Sequence, residues 1–342
     1  MKKKTVVALD AMGGDNAPLE IVKGAVEAVN ERDDIIVHLF GDEEQVRNEL
    51  KKYTYPRDQI RLTHTSEVIS VEESPAVAIK KKKDSSMVAG ILSVKNGDCD
   101  AFISGGSSGA VLVGGQVLVG KEKGIKRAPL APIIPNEKGV SLLIDCGANV
   151  DAKPEHLVQF AQMGSIYMKN IIGVENPRVG IVNIGAEETK GNALVKETFP
   201  LLKACPGINF IGSVEARDIT KGIADVIVTE AFVGNVVLKM MEGVASTLIS
   251  LIKEGMMSST RSKIGALLVK PALKDTLKLF DATEYGGAPL LGLKGLVVKI
   301  HGNATSKETK HAIFQCVTFK EQKVNEKIRE HLGIPAAPAA GE

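Results

Sequence analysis

Apolar runs that end in glycine and a polar residue recur along this sequence of 342 residues. The first extends from Val6 to Leu9 and is followed by Asp10 and by the pair Gly13 and Gly14. Five later segments have the same form: 100–109, 141–149, 179–185, 225–235 and 296–303. Continuous apolar strands that alternate with helices are typical of parallel sheets covered on both faces. The pattern therefore predicts an α/β protein with three layers, α/β/α, around a mostly parallel sheet.

The turns after these strands are the predicted location of the site, because parallel sheets bind ligands beyond the carboxyl ends of their strands. Asp15 or Asn16 is expected to cap a helix that begins near Pro18. Unpaired amides at such a helix N-terminus bind anions. The turn residues that we expect to bind the anion and its co-substrate are Gly13, Gly14, Asn16, Ser104, Gly105, Gly106, Ser107, Ser108, Gly109, Asn149, Gly185 and Gly234.

A polar loop at 187–192 adds a candidate cation to this site. Lys190 is the first choice for an anion-binding cation. The alternative is that 187–192 is a surface loop without a binding role. With Asn192, Asn235 and Asp10 it forms the candidate catalytic set, in which a turn or cap role is the alternative for Asp10. A later loop rich in turn residues adds the candidate substrate-binding residues Glu284, Tyr285, Gly286 and Gly287.

Common catalytic and cofactor motifs are missing from the sequence. It contains no G-x-S-x-G elbow, no H-E-x-x-H, no P-loop and no G-x-G-x-x-G after the first strand. The six histidines are scattered, so we expect neither a metal ion nor an organic cofactor. Cys146 could carry an acyl group, but a small buried hydrophobic residue is the favoured interpretation. Such a site suits a reaction in which the bound anion attacks, as when inorganic phosphate attacks a thioester.

Charge and composition narrow the partners. A formal net charge of +2 excludes the strong basic field of a nucleic-acid-binding protein. Four widely spaced cysteines and the lack of a secretory signal indicate a cytoplasmic protein. One basic cluster consists of Lys80, Lys81, Lys82 and Lys83. It is either a solvated helix end or, together with Arg127, a docking patch for an acidic partner.

We expect a single large α/β domain over residues 1–334 and a flexible tail at 335–342. A helical hairpin is predicted as an insertion at about 235–275. Its apolar residues include Leu248, Leu251, Ile252, Met256, Met257, Ile264, Leu267 and Leu268. A dimer interface explains these residues, and so does a hairpin tip that lies on a membrane surface. The uncharged segment 243–252 is too short to span a bilayer.

Several sequence blocks together resemble one known family, from about Thr5 to about Ile328. They are Asp10-Ala-Met-Gly-Gly-Asp15 with Ala17-Pro18, Lys82-Lys-Asp-Ser-Ser-Met87, Leu130-Ala-Pro-Ile-Ile-Pro135, Gly147-Ala-Asn-Val-Asp-Ala-Lys-Pro-Glu-His-Leu157, Gly234-Asn-Val-Val-Leu-Lys239 and Glu284-Tyr-Gly-Gly-Ala-Pro-Leu-Leu-Gly292. This combination is similar to that of the bacterial phosphate acyltransferase family PlsX.

The resemblance implies an enzyme that converts acyl-(acyl carrier protein) and inorganic phosphate into acyl phosphate for phospholipid synthesis. It implies a homodimer with a fold like that of isocitrate dehydrogenase and phosphate acetyltransferase. It also implies peripheral attachment to the membrane, where a membrane-bound glycerol-phosphate acyltransferase takes the product. Two alternatives remain: another phospho-ligand acyltransferase that uses acyl-coenzyme A, and a non-enzymatic membrane scaffold.

The sequence departs from the family's usual residues at three strand ends. Asn16 stands where the family usually has histidine. The segment 104–109 reads Ser-Gly-Gly-Ser-Ser-Gly where the family usually has Ser-Ala-Gly-Asn-Thr-Gly. Glu230-Ala-Phe-Val-Gly-Asn235 replaces Asp-Gly-Phe-Thr-Gly-Asn. These changes remove side-chain hydrogen-bonding groups from the predicted anion site.

Overall fold

The computed structural model describes residues 4–278 and 282–334, so the predicted tail at 335–342 lies outside the described residues. The chain divides into two compact units. The first unit comprises the described parts of residues 1–132, 162–176 and 283–342, and the second those of residues 133–161 and 177–282. The sequence indicated one large domain, because the alternation of strands and helices continues across these boundaries without a change in composition.

Strands and helices alternate through both units. The strands of the described residues are β1 (Thr5–Asp10), β2 (Ile35–Gly41), β3 (Ile60–His64), β4 (Ala101–Ser104), β5 (Ile133–Asn136), β6 (Gly139–Ile144), β7 (Arg178–Asn183), β8 (Asn209–Glu215), β9 (Val226–Val228), β10 (Ala288–Leu290) and β11 (Leu296–Lys299). The α-helices are α1 (Leu19–Glu31), α2 (Glu43–Leu50), α3 (Pro75–Lys81), α4 (Ser86–Lys95), α5 (Ser108–Gly114), α6 (Pro154–Tyr167), α7 (Ala193–Lys203), α8 (Ala231–Met257), α9 (Thr260–Lys278), α10 (Ser306–Glu321) and α11 (Val324–His331).

The first unit is built on a six-stranded sheet in the order β10-β11-β4-β1-β2-β3. Only the pairing of β10 with β11 is antiparallel among these described strands. In β1 the consecutive residues Val7, Ala8 and Leu9 are all fully buried. Consecutive residues of a strand point to opposite faces, so both faces of this sheet are covered. The unbroken apolar run of the sequence is the consequence of this burial.

The second unit has a five-stranded sheet in the order β5-β6-β9-β7-β8. Its inner pairings are parallel, and β5 is an antiparallel edge strand. Within this sheet, Ile134, Leu143, Val214 and Ile227 belong to one buried apolar core. Each unit therefore has its own mostly parallel sheet. The sequence pattern had predicted one mostly parallel sheet for the chain.

Helix packing in the first unit requires a close approach of α1 and α10. A Cβ atom on Gly24 would lie 2.6 Å from Cβ of Thr309, so glycine is needed at this crossing. In the second unit α8 and α9 contact each other and form the predicted helical hairpin. Its bounds are wider than expected, because α8 already begins at Ala231.

Candidate active site

Three strand-end turns of the first unit pack backbone against backbone. We call residues 10–16, 104–109 and 299–304 the first turn cluster. A Cβ atom on Gly105 would lie 2.8 Å from the carbonyl oxygen of Gly13. Gly14 has φ of +114°, and a Cβ atom there would lie 2.7 Å from the carbonyl oxygen of Gly302. This close approach requires glycine and brings the carboxyl ends of β1, β4 and β11 together.

Asp10 is buried beneath these turns with 2% of its surface exposed. Its Oδ2 accepts a hydrogen bond from Oγ of Ser104 at 2.6 Å. Oγ of Ser104 in turn accepts a hydrogen bond from the N–H of Gly106 at 3.0 Å. Its Oδ1 accepts the N–H of Met12 at 3.3 Å. Burial raises the pKa of Asp10, opposed by the hydrogen bonds from Ser104 and Ser86. These contacts join two turns through one carboxyl group, which is a positioning role.

The predicted cap of α1 is wrong. Pro18 occupies the N-cap position, and no side chain accepts a hydrogen bond from the first turn of α1. The side chain of Asn16 donates to the carbonyl oxygens of Asn303 and Ala304 at 3.1 and 3.4 Å. The side-chain amide of Asn16 therefore connects the first turn to the loop after β11, and it does not cap α1.

The turn after β4 leads into α5 at the same edge of the sheet. Oγ of Ser107 accepts the N–H of Ala110 at 3.4 Å and caps this helix. Ser108 is exposed at the first helical position. A Cβ atom on Gly109 would lie 2.7 Å from Cγ of Pro75 in α3, so this glycine is required for helix packing. The first amides of α5 have no partner within the helix and lie at the end of β4.

Sequence reasoning missed two residues of this cluster. Nζ of Lys299 donates to the carbonyl oxygens of Gly105, at 3.3 Å, and of Ile300. Nδ1 of His301 lies 2.8 Å from Oε1 of Glu308, which also accepts the backbone N–H of His301 at 2.9 Å. Glu308 is 3% exposed, so a buried carboxylate fixes the half-exposed ring. The available signal was a cation and a histidine directly after a buried apolar run.

The loop at 284–287 is held by α10 of the same unit. Gly287 donates its N–H to Oε1 of Gln315 at 3.0 Å and accepts from Nε2 at 2.9 Å. Gly286, with φ of +87°, lies against the same glutamine. Glu284 pairs with Lys307 at 3.0 Å, and Tyr285 is 38% exposed. Packing on α10 therefore accounts for both glycines.

The second unit has its own group of strand-end turns, at 145–149, 184–192 and 229–235, which we call the second turn cluster. Asp145 is fully buried and accepts hydrogen bonds from Nδ2 of Asn149, at 2.7 Å, and from the N–H of Ala148, at 3.2 Å. Asn149, predicted to bind substrate, is thus held by this carboxyl group within its own turn.

The N-terminus of α8 is capped by Glu230. Its carboxylate accepts the N–H groups of Phe232 and Val233 at 2.6 and 2.9 Å. A Cβ atom on Gly234 would lie 1.9 Å from the carbonyl oxygen of Asp145, so glycine is needed for the approach of helix and turn. Asn235 follows it on the exposed side. The N–H of Gly234, predicted to bind the anion, donates to the backbone oxygen of Glu230 at 3.0 Å, and the Glu230 carboxylate engages the two preceding amides.

Lys190 and Asn192 lie together in the turn after β7. Nζ of Lys190 is 2.8 Å from Oε2 of Glu187, and both side chains are about half exposed. The hydrogen bond from Lys190 lowers the pKa of Glu187. Asn192 caps α7, because its Oδ1 accepts the N–H of Val195 at 2.9 Å. Gly185 is packed closely against the Lys190 side chain.

The basic cluster of the first unit is not uniform. Lys80, Lys81 and Lys83 are exposed, as is Arg127. Lys82 instead donates to the carbonyl oxygen of Val68 and to Oε1 of Glu73, each at 2.7 Å. Three of the four lysines are therefore accessible to a partner, while Lys82 fastens a loop.

The hairpin leaves most of its predicted apolar residues in solvent. Their exposed fractions are 56% for Leu248, 59% for Leu251, 55% for Met257, 61% for Ile264, 71% for Leu267 and 76% for Leu268. Ile252 and Met256 are half-buried. Among the described helices only α8 is long and apolar enough to cross a bilayer, and none of that apolar window is buried.

Cys146 is 2% exposed. Burial, together with the neighbouring Asp145, raises the pKa of its thiol well above the ordinary range. A thiol with a raised pKa is a poor nucleophile, which supports the prediction of a small buried residue. Within residues 4–278 and 282–334, no group of three or more histidine, cysteine, aspartate and glutamate side chains could hold a metal ion.

Comparison with known proteins gives a family and a fold. A family described as "Fatty acid synthesis protein" matches residues 5–327. The phosphate acyltransferase of Alkaliphilus oremlandii is 51% identical over 324 residues, which are 95% of this chain and 96% of that protein. The phosphate acyltransferase of Clostridium acetobutylicum is 47% identical over 327 residues, 96% of this chain and 98% of that protein.

Solved structures confirm the predicted fold class. A phosphotransacetylase from Streptococcus pyogenes superposes with a TM-score of 0.60 at 16% identity, over 92% of this chain and 94% of that one. A branched-chain phosphotransacylase from Enterococcus faecalis gives a TM-score of 0.55 at 14% identity, over 92% of this chain and 98% of that one. At these identities the likeness shows the α/β fold.

Proposed function

Because the chain belongs to the fatty acid synthesis protein family and its relatives are phosphate acyltransferases, we propose that it transfers a fatty acyl group to inorganic phosphate. The protein is thus an enzyme of the acyltransferase class. An oxygen of phosphate attacks the carbonyl carbon of a thioester, and the tetrahedral intermediate collapses as the carbon–sulfur bond breaks. The products are acyl phosphate and a thiolate, which leaves readily because the pKa of a free thiol is about 8.5.

The observation that carries this proposal is the convergence of glycine turns at the carboxyl ends of β1, β4 and β11. Backbone turns at a sheet edge and the first amides of a helix bind compact oxyanions without a dedicated side chain. Phosphate bound there needs only orientation and stabilisation of the developing oxyanion. In the second turn cluster, Lys190 remains the candidate cation and Asn235 a candidate polar ligand for an anion. The buried Cys146 argues against an acyl-enzyme intermediate.

We propose acyl carrier protein as the acyl donor. Carrier proteins are acidic, and the exposed side chains of Lys80, Lys81, Lys83 and Arg127 offer them a basic docking surface. Acyl-coenzyme A is the alternative donor, and it needs no such protein surface. In this proposal Lys82 supports the surface by holding the loop at Val68.

We propose further that the enzyme is a cytoplasmic homodimer attached peripherally to the membrane. The exposed apolar residues of α8 and α9 supply surface for both contacts. Acyl phosphate formed at the membrane can pass directly to a membrane-bound glycerol-phosphate acyltransferase.

The test is to incubate the purified protein with phosphate and either palmitoyl-carrier protein or palmitoyl-coenzyme A, and to trap acyl phosphate with hydroxylamine. We expect phosphate-dependent hydroxamate formation that is faster with the carrier protein. Faster reaction with the coenzyme A thioester would support the alternative donor. If the protein binds vesicles but forms acyl phosphate from neither donor, the result would support the alternative of a non-enzymatic membrane scaffold.

A further inference from the structure

An apolar groove borders the second turn cluster at the carboxyl ends of β7 and β9. Its volume is about 270 Å³. The aliphatic side chains that wall it come from β7, the turn after β7, α6, α7 and α8: Leu157, Ile181, Ile184, Leu194, Val195 and Val233. All of these residues belong to the second unit. The groove opens at the sheet edge where parallel sheets bind their ligands.

Three polar side chains that line the groove, those of Asn183, Asn192 and Glu230, are hydrogen-bonded within the protein. Nδ2 of Asn183 donates to the carbonyl oxygen of Lys190 at 3.2 Å and to Oγ of Ser213 at 3.0 Å. Asn192 and Glu230 accept backbone N–H groups at the N-termini of α7 and α8. What the groove offers a ligand is therefore aliphatic surface, which suits a hydrocarbon chain.

The rim of the groove combines an apolar residue with a cation. Ile184, the first residue after β7, is 81% exposed and lines the groove. A Cβ atom on the next residue, Gly185, would lie 3.0 Å from Nζ of Lys190. A chain that enters the groove past Ile184 has its polar end beside this ammonium group, which can stabilise negative charge on a carbonyl oxygen.

We infer that this groove binds the hydrocarbon part of the acyl donor, with the reacting carbonyl at the Lys190 rim. The inference rests on the proposed function, because it names the binding site for the substrate of that reaction. Each methylene buried in an apolar site strengthens binding by roughly fourfold. Activity should therefore rise with acyl length until the groove is filled and change little beyond that length.

The experiment measures kcat/KM for acyl-carrier proteins with acyl groups of four, six, eight and ten carbons. In the wild-type enzyme we expect kcat/KM to increase with each added pair of carbons. Leu194→Trp fills the groove, so it should remove most of this increase. The matched control is Leu201→Trp on the same helix, where Leu201 is 46% exposed outside the groove. It should keep the wild-type dependence on length.

If Leu194→Trp does not fold, Leu194→Ala tests the groove in its place. It removes wall surface without adding bulk, so it should reduce the increase of kcat/KM with acyl length. A wild-type enzyme indifferent to acyl length, or a Leu194→Trp enzyme with the wild-type dependence, would overturn the inference. Altered sedimentation of Leu194→Trp with an unchanged length dependence would instead make the groove a contact between two copies of the chain. If the wild-type enzyme forms acyl phosphate from none of these donors, the proposed function itself is wrong.

Discussion

The candidate side chains at the strand ends differ in how firmly they are held by hydrogen bonds within the protein. Asp10, Asn149 and Asn192 are hydrogen-bonded to neighbouring side chains or backbone, and each holds a turn in place. The side chain of Lys190 instead forms an exposed ion pair with Glu187. Exposed pairs are weak, so a stronger anion can compete with Glu187 for the ammonium group.

Lys190→Ala should raise the KM for phosphate by roughly ten- to a hundredfold, the effect of losing one hydrogen bond to a charged group. The fold should be unaffected, because the Lys190–Glu187 pair is exposed. Steady-state rates at varied phosphate concentration measure the effect. Lys203→Ala is the matched control, since Lys203 forms a similar exposed pair with Glu188 at 2.9 Å. An unchanged phosphate KM in Lys190→Ala would remove this lysine from the anion site.

Asp10 should make stability depend on pH in a direction opposite to most carboxylates. Its raised pKa means that the folded protein keeps a proton that the unfolded chain, with a value near 3.8, has lost. Stability from this group is complete below about that unfolded value and is lost as pH rises through the folded pKa. The free energy of unfolding of the wild type, relative to Asp10→Asn, should therefore increase on acidification from pH 7. Urea titrations at several pH values measure this difference, and a decrease would contradict the assignment.

The sequence indicated which residues stand at strand ends, but it could not separate binding from packing roles. A glycine that lets a ligand approach and a glycine that lets a helix approach look identical in sequence. Gly109 and Gly234 proved to be contacts with Pro75 and with the Asp145 carbonyl. Asn16 has a partner about 290 residues away, so no local pattern could reveal that its amide was already bonded.

At the level of elements, apolar periodicity predicted most strands and helices correctly because burial determines both. The runs at 7–9 and 101–104 are buried on both faces, and α8 and α9 have the predicted hairpin arrangement. Division into two sheets was not predictable, since it depends on which strands pair over long distances. The cap at Glu230 was also missed, because glutamate is not among the residues that usually cap a helix N-terminus.

Two glycines of α8 should respond in opposite ways to substitution by alanine. Gly234→Ala places Cβ 1.9 Å from a backbone oxygen that cannot move aside easily, and we expect a loss of more than about 3 kcal/mol in unfolding free energy. Gly243→Ala meets nothing within 4 Å and should stabilise the helix by about 1 kcal/mol. Thermal or urea unfolding of the two variants compares them directly. Equal effects would show that α8 does not approach the Asp145 turn so closely.

At the scale of the whole molecule, the hairpin is the feature that a globular α/β unit does not require. Its exposed leucines and isoleucine on α8 and α9 form an apolar surface larger than isolated surface residues explain. Charged residues, among them Lys239, Glu242, Lys253 and Glu254, bracket the uncharged segment 243–252. This segment is well short of the roughly 20 apolar residues that a spanning helix needs. The exposed apolar surface of the hairpin fits contact with a membrane surface or with a second copy of the chain.

These two contacts make different predictions for the double variant Leu248→Asp with Leu251→Asp. Aspartate in a surface-bound helix opposes both burial and anionic headgroups, so we expect loss of pelleting with phosphatidylglycerol vesicles. Acyl phosphate formation from a soluble donor should persist, because neither leucine lies in a turn cluster. Ile211→Asp on β8, where Ile211 is 42% exposed, is the control for added charge and should still pellet. Sedimentation velocity then separates the cases, since retained vesicle binding with a shift from dimer to monomer would assign these leucines to the contact between two copies.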